Sequence, residues 1–137
     1  MRADTQPRIA VQRRFTASHA VTIDGVVEEP HAHDWHVQVE GRGELDDEGL
    51  LIDFHLLERA LDEVLAPCGD GAFNGTPPFD VLNPSAERIA QYIIDTMLHE
   101  ALPEAARRRI DVGCAVGEEP PSCHATCFAV TAGKAGG

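Results

Sequence analysis

Two long runs of strict alternation constrain this chain more than anything else in it. In residues 8–19, Ile9, Val11, Phe15, Ala17 and His19 fall on one side, and Ala10, Gln12, Arg14, Thr16 and Ser18 on the other. In residues 31–45, His31, His33, Trp35, Val37 and Val39 oppose Asp34, His36, Gln38, Glu40 and Arg42. A period of two belongs to strands with one buried face. Such strands need partners in a sheet and a second layer over the apolar side. The histidines lie on the apolar side in both runs. His31 and His33, at i and i+2, point the same way, and a neighbouring strand can bring His19 beside them. Three imidazoles with an open fourth position form the donor set of a catalytic zinc site. Trp35 shares that side and reads as core; His36 faces away.

The rest of the chain supplies the covering layer. Asp24-Gly25 marks a turn in a loop over residues 22–30. Residues 46–49 form another turn, and Leu50-Leu51-Ile52 a short extended piece. Asp53 caps a helix that runs to about Ala66, with Phe54, Leu57, Leu61, Val64 and Leu65 on one stripe, and Pro67 stops it. A Gly/Pro-rich loop covers 67–82. Asn83 caps a second helix with Pro84 at its first position and a stripe of Ala86, Ile89, Ala90, Ile93 and Met97, fading near Leu102-Pro103. Two strands close the chain, one with Ile110, Val112, Cys114, Val116 and Glu118 on a face, the other with Thr126, Phe128 and Val130. The order β-β-α-α-β-β predicts an α+β domain over residues 1–137: a four-stranded antiparallel sheet with two helices on one face.

Charge narrows the partners. The net charge is −12 and Lys134 is the sole lysine. Such a surface repels phosphate backbones, which excludes nucleic-acid binding. An anionic small substrate would need clustered arginines, and Arg13, Arg14 and Arg42 are the candidates. Arg13 stands out because it interrupts the apolar side of its strand. No run approaches the ~20 apolar residues of a membrane span, and the first residues lack the apolar core of a signal peptide, so a cytoplasmic protein is expected. The four cysteines, Cys68, Cys114, Cys123 and Cys127, contain no C-x-x-C pair and are expected as free thiols, with Cys114 in the core.

Several phrases in this order resemble the 6-pyruvoyl-tetrahydropterin synthase and 6-carboxytetrahydropterin synthase family, which has the tunnelling fold. Phe15-Thr16-Ala17-Ser18-His19 is similar to its F-x-A-x-H, and His31-Ala32-His33-Asp34-Trp35 to its H-G-H-N-Y/F. Gly43 to Asp46 and Gly49 to Phe54 resemble G-x-[LV]-D and G-[MW]-[VI]-x-D-F. Asn83-Pro84-Ser85-Ala86-Glu87 resembles N-P-T-x-E, and Val116-Gly117-Glu118 sits where the family has a V-x-E-T strand end. The resemblance covers residues 8–130. It implies zinc on His19, His31 and His33. It also implies a pterin pocket between subunits, with Glu118 gripping the ring and Ser85 and Glu87 nearby. Trimers whose sheets close into a barrel, stacked as a homohexamer, are implied as well.

The departures shape the chemistry expected. The family cysteine four residues before its first paired histidine is Val27 here. One subgroup instead carries a glutamate three residues before that histidine, matched by Glu28, though its upstream proline is replaced by Val26. The family's Asp-His pair becomes Gly69-Asp70, so Asp70 is a second candidate for proton transfer. An insertion after Glu118 brings Cys123 and His124, either of which could supply a lost group. The expectation is a zinc-dependent lyase acting on a dihydroneopterin-like or related small substrate, with Glu28 or Asp70 as base. The alternatives are a repurposed zinc-containing binding protein on the same scaffold and a zinc site that only stabilises.

Overall fold

The computed structural model describes residues 5–68, 71–118 and 124–129. The alternating runs form β1 (Arg8–His19) and β4 (His31–Gly43). They pair antiparallel in a register that sets His19 opposite His31 and Phe15 opposite Trp35. β5 (Ile110–Glu118) and β6 (His124–Ala129) complete a sheet of order β1-β4-β5-β6. The apolar sides of β1, β4 and β5 therefore face one layer, where Val37, Val39, Val112 and Val116 are fully buried; in β6 Cys127 and Ala129 pack against that core, while Phe128, expected on the patterned side, is 50 % exposed on the other face.

That layer is helical. α1 (Phe54–Leu65) is capped by Asp53, whose side chain accepts from the His55 N–H. Its buried stripe is Leu57, Ala60, Leu61, Val64 and Leu65. Phe54, expected on that stripe, is 53 % exposed, because the first residue of the helix projects past the sheet. α2 (Ala86–Thr96) buries Ile89, Ala90, Ile93 and Ile94. It runs on as one π-helical turn, Met97–Ala101, then a short α3 (Glu104–Arg107) that the sequence pattern did not announce. Leu51 and Ile52 are buried but form no strand; they pack from an irregular segment instead. Gly43 ends β4 where a Cβ would come within 2.5 Å of the Arg109 carbonyl oxygen, so only glycine lets that strand meet the chain entering β5.

The loop 22–30 holds a small hairpin, β2 (Thr22–Ile23) and β3 (Val26–Val27). Asp24 and Gly25 both have positive φ, 50° and 78°. That is the backbone of the tight turn whose twist suits a two-residue hairpin.

Arg13 interrupts the apolar face for a structural reason. Its guanidinium reaches α1 and pairs with Asp62 at 2.8 Å and Glu58 at 2.9 Å. Arg42, on the other sheet face, pairs with Glu40 at 2.8 Å and lies 4.4 Å over the Phe128 ring. Both are engaged with carboxylates of the fold, which gives these two candidates for an anionic substrate a structural task. Cys68, Cys114 and Cys127 are free thiols. Burial pushes Cys68 up to about 11 and Cys114 up to about 12, so both are inert core residues at neutral pH. No helix among the described residues is long and apolar enough to cross a membrane.

Candidate metal centre and active site

The strand register decides the site. Cross-strand pairing puts His19 directly opposite His31, and His33 two residues further along β4 opposite Ala17. The His19 Nε2 lies 3.1 Å from the His31 Nε2 and 3.2 Å from the His33 Nε2. Three lone-pair nitrogens thus aim at one point. The opposite ring nitrogens face backbone carbonyls: His19 Nδ1 meets Pro84 at 2.9 Å, His31 Nδ1 meets Glu29 at 3.3 Å, and His33 Nδ1 meets Asp34 at 3.3 Å. A ring whose Nδ1–H donates to a carbonyl presents a bare Nε2, the tautomer a metal ligand needs. Burial lowers the proton affinity of His19 most, with the neighbouring imidazoles adding to it, which favours the neutral ligand form.

Glu118 joins this group. It ends β5 opposite Trp35, and its Oε1 lies 3.2 Å from the His33 Nε2. One donor atom from each of His19, His31, His33 and Glu118 falls within 4.8 Å of the others. The donor chemistry, imidazole with one carboxylate, fits a divalent transition metal such as zinc. The family resemblance gives Glu118 only the task of holding the ring; its reach to the histidines depends on a β4–β5 register that no local pattern encodes.

Trp35 forms the floor. It is 1 % exposed and donates its indole N–H to the Ala17 carbonyl at 3.1 Å. The His33 ring centroid sits 4.1 Å from it and that of His19 4.8 Å.

A cleft of about 630 Å³ opens above the histidines. Glu28 lines it from just beyond the small hairpin, with its Oε1 accepting the Val21 N–H at 3.0 Å and lying 3.8 Å from the His31 Nδ1. Ser85 and Glu87 line it from the start of α2. Ser85, not Asn83, is the N-cap of that helix, its hydroxyl oxygen accepting the Arg88 N–H. The physical reason is that serine caps as well as asparagine, whereas the task given to Asn83 needs a donor and an acceptor together. Asn83 pairs with both backbone groups of Thr22, Oδ1 on its N–H at 2.8 Å and Nδ2 on its carbonyl at 3.1 Å. Asp70 and Cys123 lie outside the described residues, as does the side chain of His124.

Asn74 treats Ala20 the same way, at 2.7 Å and 3.0 Å. Between the two clamps, the Val21 carbonyl accepts the Glu28 N–H while the Val21 N–H donates to the Glu28 carboxylate, and before them Ser18 exchanges backbone hydrogen bonds with Gly71 and Phe73. Every second residue from Ser18 to Thr22 is thus tied by a loop acting as a surrogate strand. This holds His19 in place and sets the height of Glu28. Neither asparagine was singled out as a functional residue. Their positions beside strand and hairpin ends carry the only hint, since asparagine amides mimic a peptide group. Replacing Asn74 with alanine is expected to cost about 1 kcal/mol of stability and to weaken zinc binding by about tenfold, the usual scale for a lost supporting contact. Chelator competition beside thermal unfolding checks this; unchanged zinc affinity in a folded variant would remove Asn74 from the site's support.

The sequence matches the 6-pyruvoyl tetrahydropterin synthase family over residues 8–128. The chain belongs to that family. No curated protein matches it. Among solved structures it is similar to 6-pyruvoyl tetrahydropterin synthase from Plasmodium vivax, with a TM-score of 0.78, 18 % identity, and 93 % of this chain and 100 % of that one covered. The Plasmodium falciparum synthase gives the same TM-score, identity and coverage. The Caenorhabditis elegans synthase gives a TM-score of 0.74 and 17 % identity over 95 % of this chain and 100 % of that one. In two further Plasmodium vivax structures a glutamate described as a catalytic residue is replaced by alanine or cysteine. The 6-pyruvoyl tetrahydropterin synthase fold is therefore the fold of this chain, and members of the family are lyases.

Proposed function

We propose that this family member is a zinc-dependent, cytoplasmic lyase acting on a dihydroneopterin-like substrate, with Glu28 as its base. The observation that carries the reading is the convergence of three Nε2 atoms beside a cleft lined by His19, His31 and Glu28. His19, His31 and His33 would hold zinc, which when bound would supply Lewis-acid polarisation of a substrate oxygen. Glu28 is steadied by the Val21 N–H on one carboxylate oxygen and takes a proton from the substrate side chain with the other. Glu118 accepts paired N–H groups from the ring edge, a task suited to two carboxylate oxygens. Ser85 keeps its hydroxyl hydrogen free to donate, because its oxygen does the capping, and Glu87 borders the same wall. Asp70 stays a second candidate for proton transfer on its place in the sequence. The glutamate described as a catalytic residue in the Plasmodium vivax synthase supports a carboxylate in this role.

The test is an LC–MS assay of the zinc-loaded protein with dihydroneopterin triphosphate and with dihydroneopterin, beside Glu28→Gln. Turnover that falls at least about a hundredfold in the variant, the lower range of general-base contributions, supports the reading. Turnover untouched by the substitution moves the base elsewhere. No turnover by a fully metallated protein favours the alternative, a binding protein on the same scaffold, in keeping with the loss of the family's cysteine and Asp-His pair.

We also propose a homohexamer of two stacked trimers. β1 and β6 end the sheet among the described residues, and an open edge seeks a partner strand. Ile23, Val26 and Val27 on the hairpin are 61 %, 69 % and 66 % exposed. Native mass spectrometry should find a sixfold multiple of the 14.8 kDa chain; a monomer at micromolar concentration would rule the assembly out.

A further inference from the structure

Two carboxylates approach the three histidines, and they do so in different ways. Glu118 ends β5 opposite Trp35. Directly opposed residues of an antiparallel pair share a face, so Glu118 stands on the face that carries His31 and His33. Its Oε1 is 3.2 Å from the His33 Nε2, one of the nitrogens aimed at the common point. The Glu28 Oε1 lies instead 3.8 Å from the His31 Nδ1, behind that ring, and accepts the Val21 N–H. Glu118 is therefore inside the donor group and Glu28 outside it. Four donors at about 2.0–2.2 Å from one zinc ion in a tetrahedron stand about 3.3–3.6 Å apart. The spacings here are close to that: 3.1 Å for His19 to His31, 3.2 Å for His19 to His33 and 3.2 Å for His33 to Glu118. With its hydrogen on Nδ1 against the Asp34 carbonyl, His33 turns a bare Nε2 toward both the His19 Nε2 and a carboxylate oxygen. Facing lone pairs of this kind repel unless a cation lies among them.

The Glu118 side chain is also free to move. It is 59 % exposed, and among the described residues His33 is the partner of its carboxylate. It lines the cleft as well. One carboxylate thus has two destinations, the fourth position on the metal and a ring in the cleft.

Resting on the zinc and lyase reading above, we infer that Glu118 is a displaceable fourth metal ligand. It closes the metal site of the empty protein and leaves it when the ring edge of a substrate takes both carboxylate oxygens. A site closed by four protein donors offers no position to a substrate oxygen. The paired N–H groups of the ring compete for the same two oxygens. Recognition of the ring then opens the position, and a small oxygen ligand that lacks the ring finds it shut.

The test uses the full chain loaded with cobalt(II), whose visible absorption changes with the number and type of donors, beside Glu118→Gln. Glu118 is an exposed strand end, so the variant keeps the fold. Glu87→Gln is the control that removes a charge from the cleft but no donor. In chelator competition Glu118→Gln should hold zinc at least about tenfold more weakly than the parent, and Glu87→Gln within about twofold. Imidazole is a neutral probe, so losing a negative charge does not by itself alter its binding. It should bind the cobalt of Glu118→Gln at least about tenfold more tightly than that of the parent, whose site is open only part of the time. A dihydropterin without a side chain should shift the cobalt bands of the parent toward those of the variant. Zinc affinity, cobalt bands and imidazole binding in Glu118→Gln that all match the parent overturn the inference and leave Glu118 a ring anchor within the lyase reading. Cobalt bands that stay still while calorimetry shows the ring bound overturn the exchange. A parent that holds neither cobalt nor zinc fails the zinc reading, and the inference falls with it.

Discussion

His19→Ala should remove metal and activity together. His19 is the hub of the cluster, since its Nε2 is the atom within 3.2 Å of both other imidazoles. It is also the buried member, 6 % exposed, and it is tied through Nδ1 to the Pro84 carbonyl. Without it, His31, His33 and Glu118 remain, but the donor at the centre of the group, the buried one fixed by a backbone carbonyl, is gone. Zinc measured by plasma mass spectrometry should fall from about one per chain to below about a tenth, and turnover by at least about a thousandfold, as expected when Lewis-acid assistance is lost. Circular dichroism should show the fold retained, because β1 stays paired with β4 along its length and the helix-covered core keeps every residue. Full zinc occupancy in the folded variant would mean that the metal sits elsewhere.

Trp35→Ala should produce the largest loss of stability, about 3–5 kcal/mol by the usual cost of emptying an aromatic core position. The indole lies between Phe15 and Phe73, with ring centroids at 6.4 Å and 5.4 Å, and under the rings of His19 and His33. Its removal deletes buried area, opens a cavity and leaves the Ala17 carbonyl without the indole N–H. Trp35→Phe separates these effects. The smaller ring keeps most of the packing, and the variant should lose about 1–2 kcal/mol, the range for an unpaired buried acceptor with a modest cavity. Urea unfolding followed by circular dichroism, in chelator and in zinc, measures both. Because Trp35 supports two ligands, zinc should stabilise the alanine variant less than the parent. Equal stabilisation by zinc in the two would show that the floor plays no part in holding the imidazoles.

What could be read without coordinates is the set of properties that repeat locally. Period-two alternation identified β1, β4 and the face on which His19, His31 and His33 stand. Periodicity near 3.6 and the Asp53 cap identified α1, and the stripe Ile89, Ala90 and Ile93 identified α2. These follow from backbone geometry acting over a few residues, so a short window contains the cause. The same logic led to the site, because ligands at i and i+2 share a face in any strand.

The rest depends on partners far along the chain. The reach of Glu118 to His33 comes from a strand register spanning more than eighty residues of sequence, and Arg13 looked available until α1 delivered Glu58 and Asp62 to it. Asn83 read as a helix cap because caps are local. The tertiary structure instead gave capping to Ser85 and used the asparagine amide as a false peptide group for Thr22. The charge of the cleft is of this second kind. Composition announced an acidic protein with few cations, but only the folded arrangement put three carboxylates, Glu28, Glu87 and Glu118, on one cleft. Local periodicity thus determined the long strands β1, β4 and β5, the helices α1 and α2, and the face on which the three histidines stand. Long-range pairing, which no window of sequence contains, decided what surrounds that face.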